Sequence, residues 1–183
     1  MTKTEQFHQL QEKGTLKDKV LFRPILMQFA AEYIGKNYGQ FASDYKVLVE
    51  SNLRCKDDFS LDMLGLISDP YRETSAFGAK IKYVSDGVPR CLNLVVKSID
   101  DVKNLKIPDI YKAERTFDRI QAAKVLSKKT QGNIPIIGWI EGPLADNENM
   151  QRRMQRFKVP GSKLSVLKSK IVNQCRLASL RKP

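Results

Sequence analysis

The chain alternates short apolar runs with longer stretches in which apolar residues recur every three or four positions. The short runs are apolar on both faces, which is typical of strands buried in a parallel sheet. Three such runs are found, at 23–27, 61–67 and 134–140. Their alternation with amphipathic stretches predicts an α/β fold, in which sites form at the carboxyl ends of the strands.

Helices are predicted between these runs. A capping box at Thr2 begins a short helix that stops at Gly14, and helical spacing predicts a second helix over residues 39–54. Another capping box begins at Ser98, and the longest helix ends near Gly132. We expect that longest helix to bury one stripe, which comprises Ile110, Ala113, Phe117, Ile120 and Ala123.

Residues 80–84 and 91–96 are strand-like and flank an Asp-Gly pair at 86–87. Asp-Gly favours the tight turn of a β-hairpin, so we expect a hairpin insertion that decorates the α/β body. Three buried strands are too few to close a (β/α)8 barrel, which typically takes about 250 residues. If this chain forms such a barrel, the barrel is incomplete.

The net charge of +12 is concentrated at the end of the sequence. Residues 151–183 contain ten Lys or Arg and no Asp or Glu, which leaves 22 basic and 20 acidic residues in 1–150. We therefore divide the chain into a body, 1–150, and a basic segment, 151–183. The segment is either a binding element for nucleic acid or an anionic surface, or an out-of-frame, disordered or helical tail without function. It has few aromatic residues and no recognisable nucleic-acid motif, so nucleic acid is not the expected partner.

Composition excludes several classes of protein. A content of 42% hydrophobic and 28% charged residues is enough for one core and excludes a wholly disordered chain. There is no run of eighteen apolar residues that could span a bilayer, and the polar first residues do not resemble a signal peptide. The three cysteines, Cys55, Cys91 and Cys175, have no close spacing and suit free thiols in a reducing compartment. These features predict a cytoplasmic protein.

Three segments, in the right order and spacing, resemble the uroporphyrinogen decarboxylase family. Residues 61–69 read Leu-Asp-Met-Leu-Gly-Leu-Ile-Ser-Asp, and Ser-Ala-Phe-Gly follows at 75–78, where the family has a strand ending in Phe-Ser-Asp and then Ala-Leu-Gly. Residues 27–33, Met-Gln-Phe-Ala-Ala-Glu-Tyr, are similar to the family's Met-Arg-Gln-Ala-Gly-Arg-Tyr. Residues 136–143 resemble a later strand with its Gly-Pro or Ala-Pro loop. The resemblance covers about residues 4–150.

The resemblance implies a (β/α)8 TIM barrel of which this chain is the N-terminal half, since family members are about twice as long. It also implies a catalytic role for Asp69, which in decarboxylation would hold pyrrole N–H groups and stabilise positive charge on the ring. Local sequence leaves a second interpretation open, in which Asp69 is a helix N-cap with Pro70 at the first helical position. The residues implied to bind substrate are Gln28, Glu32, Tyr33 and Gly142.

The family contains haem-pathway decarboxylases and methyltransferases that move methyl groups between corrinoid proteins and thiols. Gln28 and Glu32 stand where the decarboxylases have two arginines, which pair bidentately with substrate carboxylates. A glutamate there would repel such a substrate. We therefore favour the corrinoid-dependent methyltransferase branch, with uroporphyrinogen decarboxylation in haem biosynthesis as the alternative.

The methyltransferase branch implies a corrinoid protein as partner and a zinc ion that deprotonates the acceptor thiol, whereas the decarboxylase branch implies no cofactor. The family's zinc ligands, a His-x-Cys pair and a distant Cys, belong to the second half of the barrel. His8 and the cysteines show no ligand spacing, so we predict no metal site in this chain. We expect a truncated protein that is inactive alone, or one whose barrel is completed by a second polypeptide.

Overall fold

A computed structural model describes residues 1–16 and 19–142, so the predicted basic segment 151–183 lies outside the described residues. The helices in the described part are α1 (Lys3–Lys13), α2 (Met27–Tyr33), α3 (Tyr38–Ser43), α4 (Tyr45–Phe59), α5 (Arg72–Ala76), α6 (Ile99–Asn104) and α7 (Glu114–Thr130). The strands there are β1 (Leu64–Gly65), β2 (Ile81–Lys82), β3 (Arg90–Cys91) and β4 (Ile136–Ile137). None of the helices in these ranges is long and apolar enough to cross a membrane.

Strands β1 and β4 pair in parallel, with Leu64 opposite Ile136 and Gly65 opposite Ile137. The Leu64 N–H donates to the Pro135 carbonyl at 2.9 Å, and the helices between the two strands provide the crossover that parallel pairing requires. The second and third apolar runs therefore pair as the sequence predicts, although each strand is shorter than its run. No closed barrel is seen in the described residues.

The first apolar run, 23–27, is not a strand, and this prediction is wrong. Met27 begins α2 instead, and Phe22 and Ile25 are 53% and 58% exposed. The segment lies beside the start of β1, because the Asp62 N–H donates to the Phe22 carbonyl at 2.9 Å. A strand of a parallel sheet is stable when both its faces are covered. Here the run remains partly open to solvent, and a single backbone hydrogen bond does not make a ladder.

The helix predicted over 39–54 is two helices. Asp44 has an extended backbone conformation that ends α3, and its carboxylate accepts the Lys46 N–H at 2.8 Å to begin α4. An Asp at an N-cap satisfies a donor that the helix leaves free, which stabilises the break. The apolar spacing continues through this break, so periodicity alone did not reveal it.

The core lies where α4 packs against α7 and α2. Its buried side chains come from the middle of these helices and from β1, and include Leu48, Val49, Cys55, Leu64 and Leu126. The face of α7 that is buried differs from the predicted one. It comprises Arg115, Arg119, Ala122, Leu126 and Thr130, whereas the predicted stripe is half-buried or lies before the helix begins.

The remaining local predictions are confirmed. Thr2 and Ser98 cap α1 and α6 with complete capping boxes, and Gly14 ends α1 in the left-handed conformation. Strands β2 and β3 form the antiparallel hairpin, with Ile81 opposite Cys91. The backbone after β2 approaches Gly39 of α3 so closely that a Cβ atom there would collide with the Val84 carbonyl. That the hairpin is an insertion stays a prediction.

Candidate functional site

Asp69 follows β1 at the carboxyl end of the parallel strands, and its side chain is 0% exposed. Its carboxylate accepts the Ser68 hydroxyl at 2.9 Å and the Tyr71 N–H at 3.0 Å. Tyr71, not Asp69, is the residue that precedes the first helical residue of α5, so the prediction of an N-cap with Pro70 at the first helical position is wrong. Asp69 instead stabilises a turn, bonding backbone two residues on, as Asp commonly does.

Arg115 of α7 reaches this carboxylate, with Nη2 3.4 Å from Asp69 Oδ2. The same guanidinium donates to the Ala42 carbonyl, to the Ser43 carbonyl at 2.8 Å and to Asp118 at 2.9 Å. The last carbonyls of a helix have no partner within the helix. Arg115 therefore joins the end of α3, the start of α7 and the end of β1.

Arg119 lies one helical turn further along α7. Its Nη2 atom is 3.2 Å from the Ala42 carbonyl and 3.0 Å from Asp118. Burial lowers the pKa of Arg119 to about 10, a change that Asp118 opposes and the neighbouring Arg115 reinforces. Burial acts in the same direction on the pKa of Arg115, but Tyr83, Asp118 and Asp69 outweigh it and the pKa is raised.

Two tyrosines complete this group. Tyr38 donates its hydroxyl to the Ser68 carbonyl, and the ring of Tyr83 lies 5.3 Å from the Arg115 guanidinium carbon, a cation–π contact. Burial, reinforced by the charge of Asp69, raises the pKa of both tyrosines to about 12, so both hydroxyls stay protonated. We call this group the Asp69 cluster; its members are Asp69, Arg115, Asp118, Arg119, Tyr38 and Tyr83.

Three other predicted site residues, Gln28, Glu32 and Tyr33, lie on α2. With their contacts they form what we call the α2 surface, whose members are Gln28, Phe29, Glu32, Tyr33, Arg54, Asp58, Phe59 and Asp86. Gln28 Nε2 donates to Glu32 at 2.8 Å and to Asp86 of the hairpin at 3.3 Å. Tyr33 donates its hydroxyl to Asp58 at 2.8 Å. Asp69 bonds to none of these residues, so the structure does not join it to them.

Gly142 is the last described residue, and it is exposed, with no described residue within 4 Å of the position a Cβ would take. Its predicted role in substrate binding, like those of the α2 residues, stays a prediction.

Sequence reasoning missed the three buried arginines. Arg72 donates to Glu73 at 2.7 Å and to the Trp139 carbonyl, so it ties the start of α5 to the segment after β4. The charged residues at 115, 118 and 119 of α7 are Arg, Asp and Arg. This spacing is typical of ion pairs on an exposed helix face, so it does not predict that they are buried. A usable signal was the small residue Ala122 on the same face, which permits close helix packing.

The described residues do not fit the zinc that the methyltransferase branch implies. Within 1–16 and 19–142, no group of three His, Cys, Asp or Glu side chains is placed to hold a metal ion. Cys55 is buried in the core, where burial raises its pKa and disfavours the thiolate that zinc binds. Cys91 donates its thiol to the Asn93 carbonyl at 3.0 Å.

Residues 18–151 match the family model described as uroporphyrinogen decarboxylase (URO-D). The chain belongs to the URO-D family. Among solved structures, this URO-D chain is similar to a methyltransferase from Methanosarcina mazei, with 18% sequence identity and a TM-score of 0.69. That match covers 82% of this chain and 45% of the methyltransferase, so the URO-D chain spans under half of that protein. No curated protein matches it.

Proposed function

We propose that this URO-D chain is the N-terminal part of a barrel that transfers a methyl group between a corrinoid and a thiol, and that it is inactive until further barrel strands are supplied. The likeness to a methyltransferase supports the fold of such an enzyme. The partner that completes the barrel would be a second polypeptide, and the methyl donor would be a corrinoid protein.

The observation that favours methyl transfer over decarboxylation is the set of hydrogen bonds that Gln28 makes. Its amide bonds to Glu32 at 2.8 Å and to Asp86 at 3.3 Å, so a carboxylate occupies one of the two positions that match the decarboxylase arginines and a second carboxylate lies beside the other. A substrate with several carboxylates would meet like charge here, and like charges at close range repel. The α2 surface therefore favours a substrate that does not depend on a carboxylate clamp.

The state of Asp69 supports the same choice. Its carboxylate is fully buried and already accepts from Ser68, Tyr71 and Arg115. A group that must bind the N–H donors of a tetrapyrrole needs free acceptor positions facing the substrate. The catalytic role that the family resemblance implies for Asp69 stays a prediction, and in our proposal Asp69 acts as a positioning residue, which fixes the turn after β1 and holds Arg115.

The need for further strands follows from the sheet. The described part has one parallel pair, β1 with β4, and Ile140 just beyond β4 is 53% exposed. Unpaired strand edges and exposed apolar side chains are covered when a barrel closes. The strands that complete the sheet would then come from the partner.

Two assays on the purified chain test this proposal. With uroporphyrinogen under anaerobic conditions, we expect no loss of carboxylate groups by product chromatography. With methylcobalamin and a thiol, we expect no demethylation by the chain alone, and demethylation when the rest of the Methanosarcina mazei methyltransferase is co-expressed with it. Porphyrinogen decarboxylation by the chain, or a co-purified complex that fails to demethylate methylcobalamin, would contradict the proposal.

A double substitution tests the clamp argument directly. Gln28→Arg with Glu32→Arg restores both guanidinium groups on the same exposed helix face. We expect the double variant to bind the octacarboxylate uroporphyrin at least about tenfold more tightly than the unmodified chain, measured by porphyrin fluorescence. Lys36→Arg is the matched control, because it lies beyond α2 and adds no charge. Equal affinity in all three proteins would refute the role assigned to these two positions.

A further inference from the structure

The Asp69 cluster contains buried hydrogen-bond donors for which the described residues provide no acceptor. Arg115 Nε, Arg119 Nε and Arg119 Nη1 are buried, and no described residue accepts a hydrogen bond from them. The hydroxyl of Tyr83 is buried against the Arg115 guanidinium, which interacts with its oxygen, and its O–H donates to no described residue. The two arginine side chains are only 9% and 7% exposed. Native proteins pair nearly all such donors, so the Nε and Nη1 edge of Arg119 and the Tyr83 O–H favour an acceptor at this place.

The two arginines of the cluster do not share its two carboxylates equally. A single oxygen, Asp118 Oδ2, is shared by Arg115 at 2.9 Å and Arg119 at 3.0 Å. Arg115 has a second carboxylate in Asp69, and Arg72 is paired with Glu73. Arg119 thus has no carboxylate of its own, and its Nε and Nη1 edge is left without an anion among the described residues.

The helix that carries these arginines adds to the positive potential. The N-cap of α7 is Ala113, which has no side-chain acceptor for the first N–H groups of this 17-residue helix. The N-terminal end of a helix carries a partial positive charge. Because the Cα–Cβ bonds of a helix tilt toward its N-terminus, the side chains of Arg115 and Arg119 lean toward this same end.

We propose that Arg115, Arg119 and Tyr83 form a binding site for an oxyanion, the carboxylate or phosphate group of a small ligand. An oxyanion offers only acceptors, which matches the free N–H edge of Arg119 and the O–H group of Tyr83. The Nε and Nη edge of a guanidinium binds two oxygens side by side. The site adjoins Asp69 at the carboxyl end of β1, where α/β proteins commonly bind ligands. It is independent of methyl transfer, so it stands even if the proposed function fails.

The test is a titration of the ¹⁵N-labelled full chain with inorganic phosphate and, separately, with acetate, at constant ionic strength. The Nε–Hε signals of Arg115 and Arg119 provide a local readout, which is needed because residues 151–183 hold ten basic residues that attract anions without a site. We expect a saturable shift of these signals at millimolar anion. A response to phosphate alone assigns a phosphate ligand, and a response to acetate alone assigns a carboxylate. A shift that does not saturate with either anion overturns the proposal.

Two variants and one control sharpen the result. Arg119→Lys keeps the charge but removes the Nε donor and the planar fork, and should weaken binding by about tenfold or more. Tyr83→Phe removes only a hydroxyl, so it decides the matter if the lysine variant fails to fold, and should weaken binding severalfold. Arg90→Lys, at an exposed position of β3, should leave the affinity unchanged. Unchanged affinity in both cluster variants would overturn the site.

Discussion

Two groups of the same three residue types occur in this URO-D chain, one buried and one exposed. Asp69, Arg115 and Tyr83 are enclosed between α3, α7 and the hairpin, whereas Asp58, Arg54 and Tyr33 lie on the α2 surface. The exposed ion pair is the shorter one, at 2.7 Å against 3.4 Å.

Distance does not rank these two ion pairs, because water screens the exposed one and the protein interior does not screen the buried one. A buried pair also costs desolvation, so its importance shows when one partner is removed and the other is left unpaired. The comparison teaches that the same three residue types stabilise the fold where they are buried, whereas the exposed group can be substituted with little loss of stability.

The largest expected effect comes from removing the buried carboxylate. Asp69→Ala leaves Arg115 with less compensation inside the protein, so we expect the free energy of unfolding to fall by about 3–5 kcal/mol. Asp58→Ala, the matched exposed variant, should cost less than about 1 kcal/mol. Urea denaturation followed by circular dichroism measures both. Losses of equal size would show that burial does not separate the two groups.

The buried face of α7 gives the next largest effect. Leu126 is completely buried on the same face as Arg115 and Arg119, so Leu126→Ala should cost about 2–5 kcal/mol through lost burial and the cavity that remains. Ile120 is on the stripe predicted from sequence and is only partly buried. Ile120→Ala should cost less than half as much in the same denaturation experiment. The reverse order would restore the predicted stripe as the core face.

A smaller effect is expected where the hairpin closes over the cluster. Gly39→Ala would place a Cβ against the Val84 carbonyl and push the hairpin, with Tyr83, away from α3. We expect a loss of about 1–3 kcal/mol from this overpacking, although alanine favours helices. Gly138→Ala is the control, since no atom of the described residues lies within 4 Å of its Cβ position, and it should change stability by no more than about 0.5 kcal/mol. Thermal melting of both variants checks the difference, and a neutral Gly39→Ala would contradict the close approach.

The smallest effect concerns the half-buried ion pair of Lys3 with Asp62. Its exposure lies between those of the buried Arg115–Asp69 pair and the exposed Arg54–Asp58 pair. Burial would raise the pKa of Asp62, but hydrogen bonds from Lys3 and from the Phe22 N–H outweigh it, and the pKa is lowered. The hydrogen bond to Asp62 in turn raises the pKa of Lys3.

A lowered carboxyl pKa gives stability that is present above the unfolded value of about 3.9 and is lost as pH falls through the folded value. The raised pKa of Lys3 gives stability present below about 10.4 and lost as pH rises through its folded value. Asp62→Asn should therefore flatten the decline of the melting temperature below about pH 4. Asp100→Asn, in an exposed pair with Lys103, is the control. An unchanged acid decline in Asp62→Asn would disprove the linkage.

Local features of the fold were predictable because they depend on neighbours in sequence. The capping boxes at Thr2 and Ser98, the hairpin around 86–87 and the strands within 61–67 and 134–140 all formed where the pattern placed them. The strand at 23–27 did not, because its stability depends on what covers its two faces. The family resemblance found Asp69 and the α2 residues but not the bonds that Asp69 makes to Ser68, Tyr71 and Arg115.

The sequence by itself determined most of the local elements, the concentration of basic charge after residue 150 and the membership of the URO-D family. Only the tertiary structure decided which face of α7 is buried and which charges meet. Helical spacing gives two candidate faces on α7, and the packing of α4 and α5 against the helix selects one. Arg115 and Asp69 are 46 residues apart, so no local rule joins them. Their pairing is fixed by the low dielectric of the interior, where each charge needs the other.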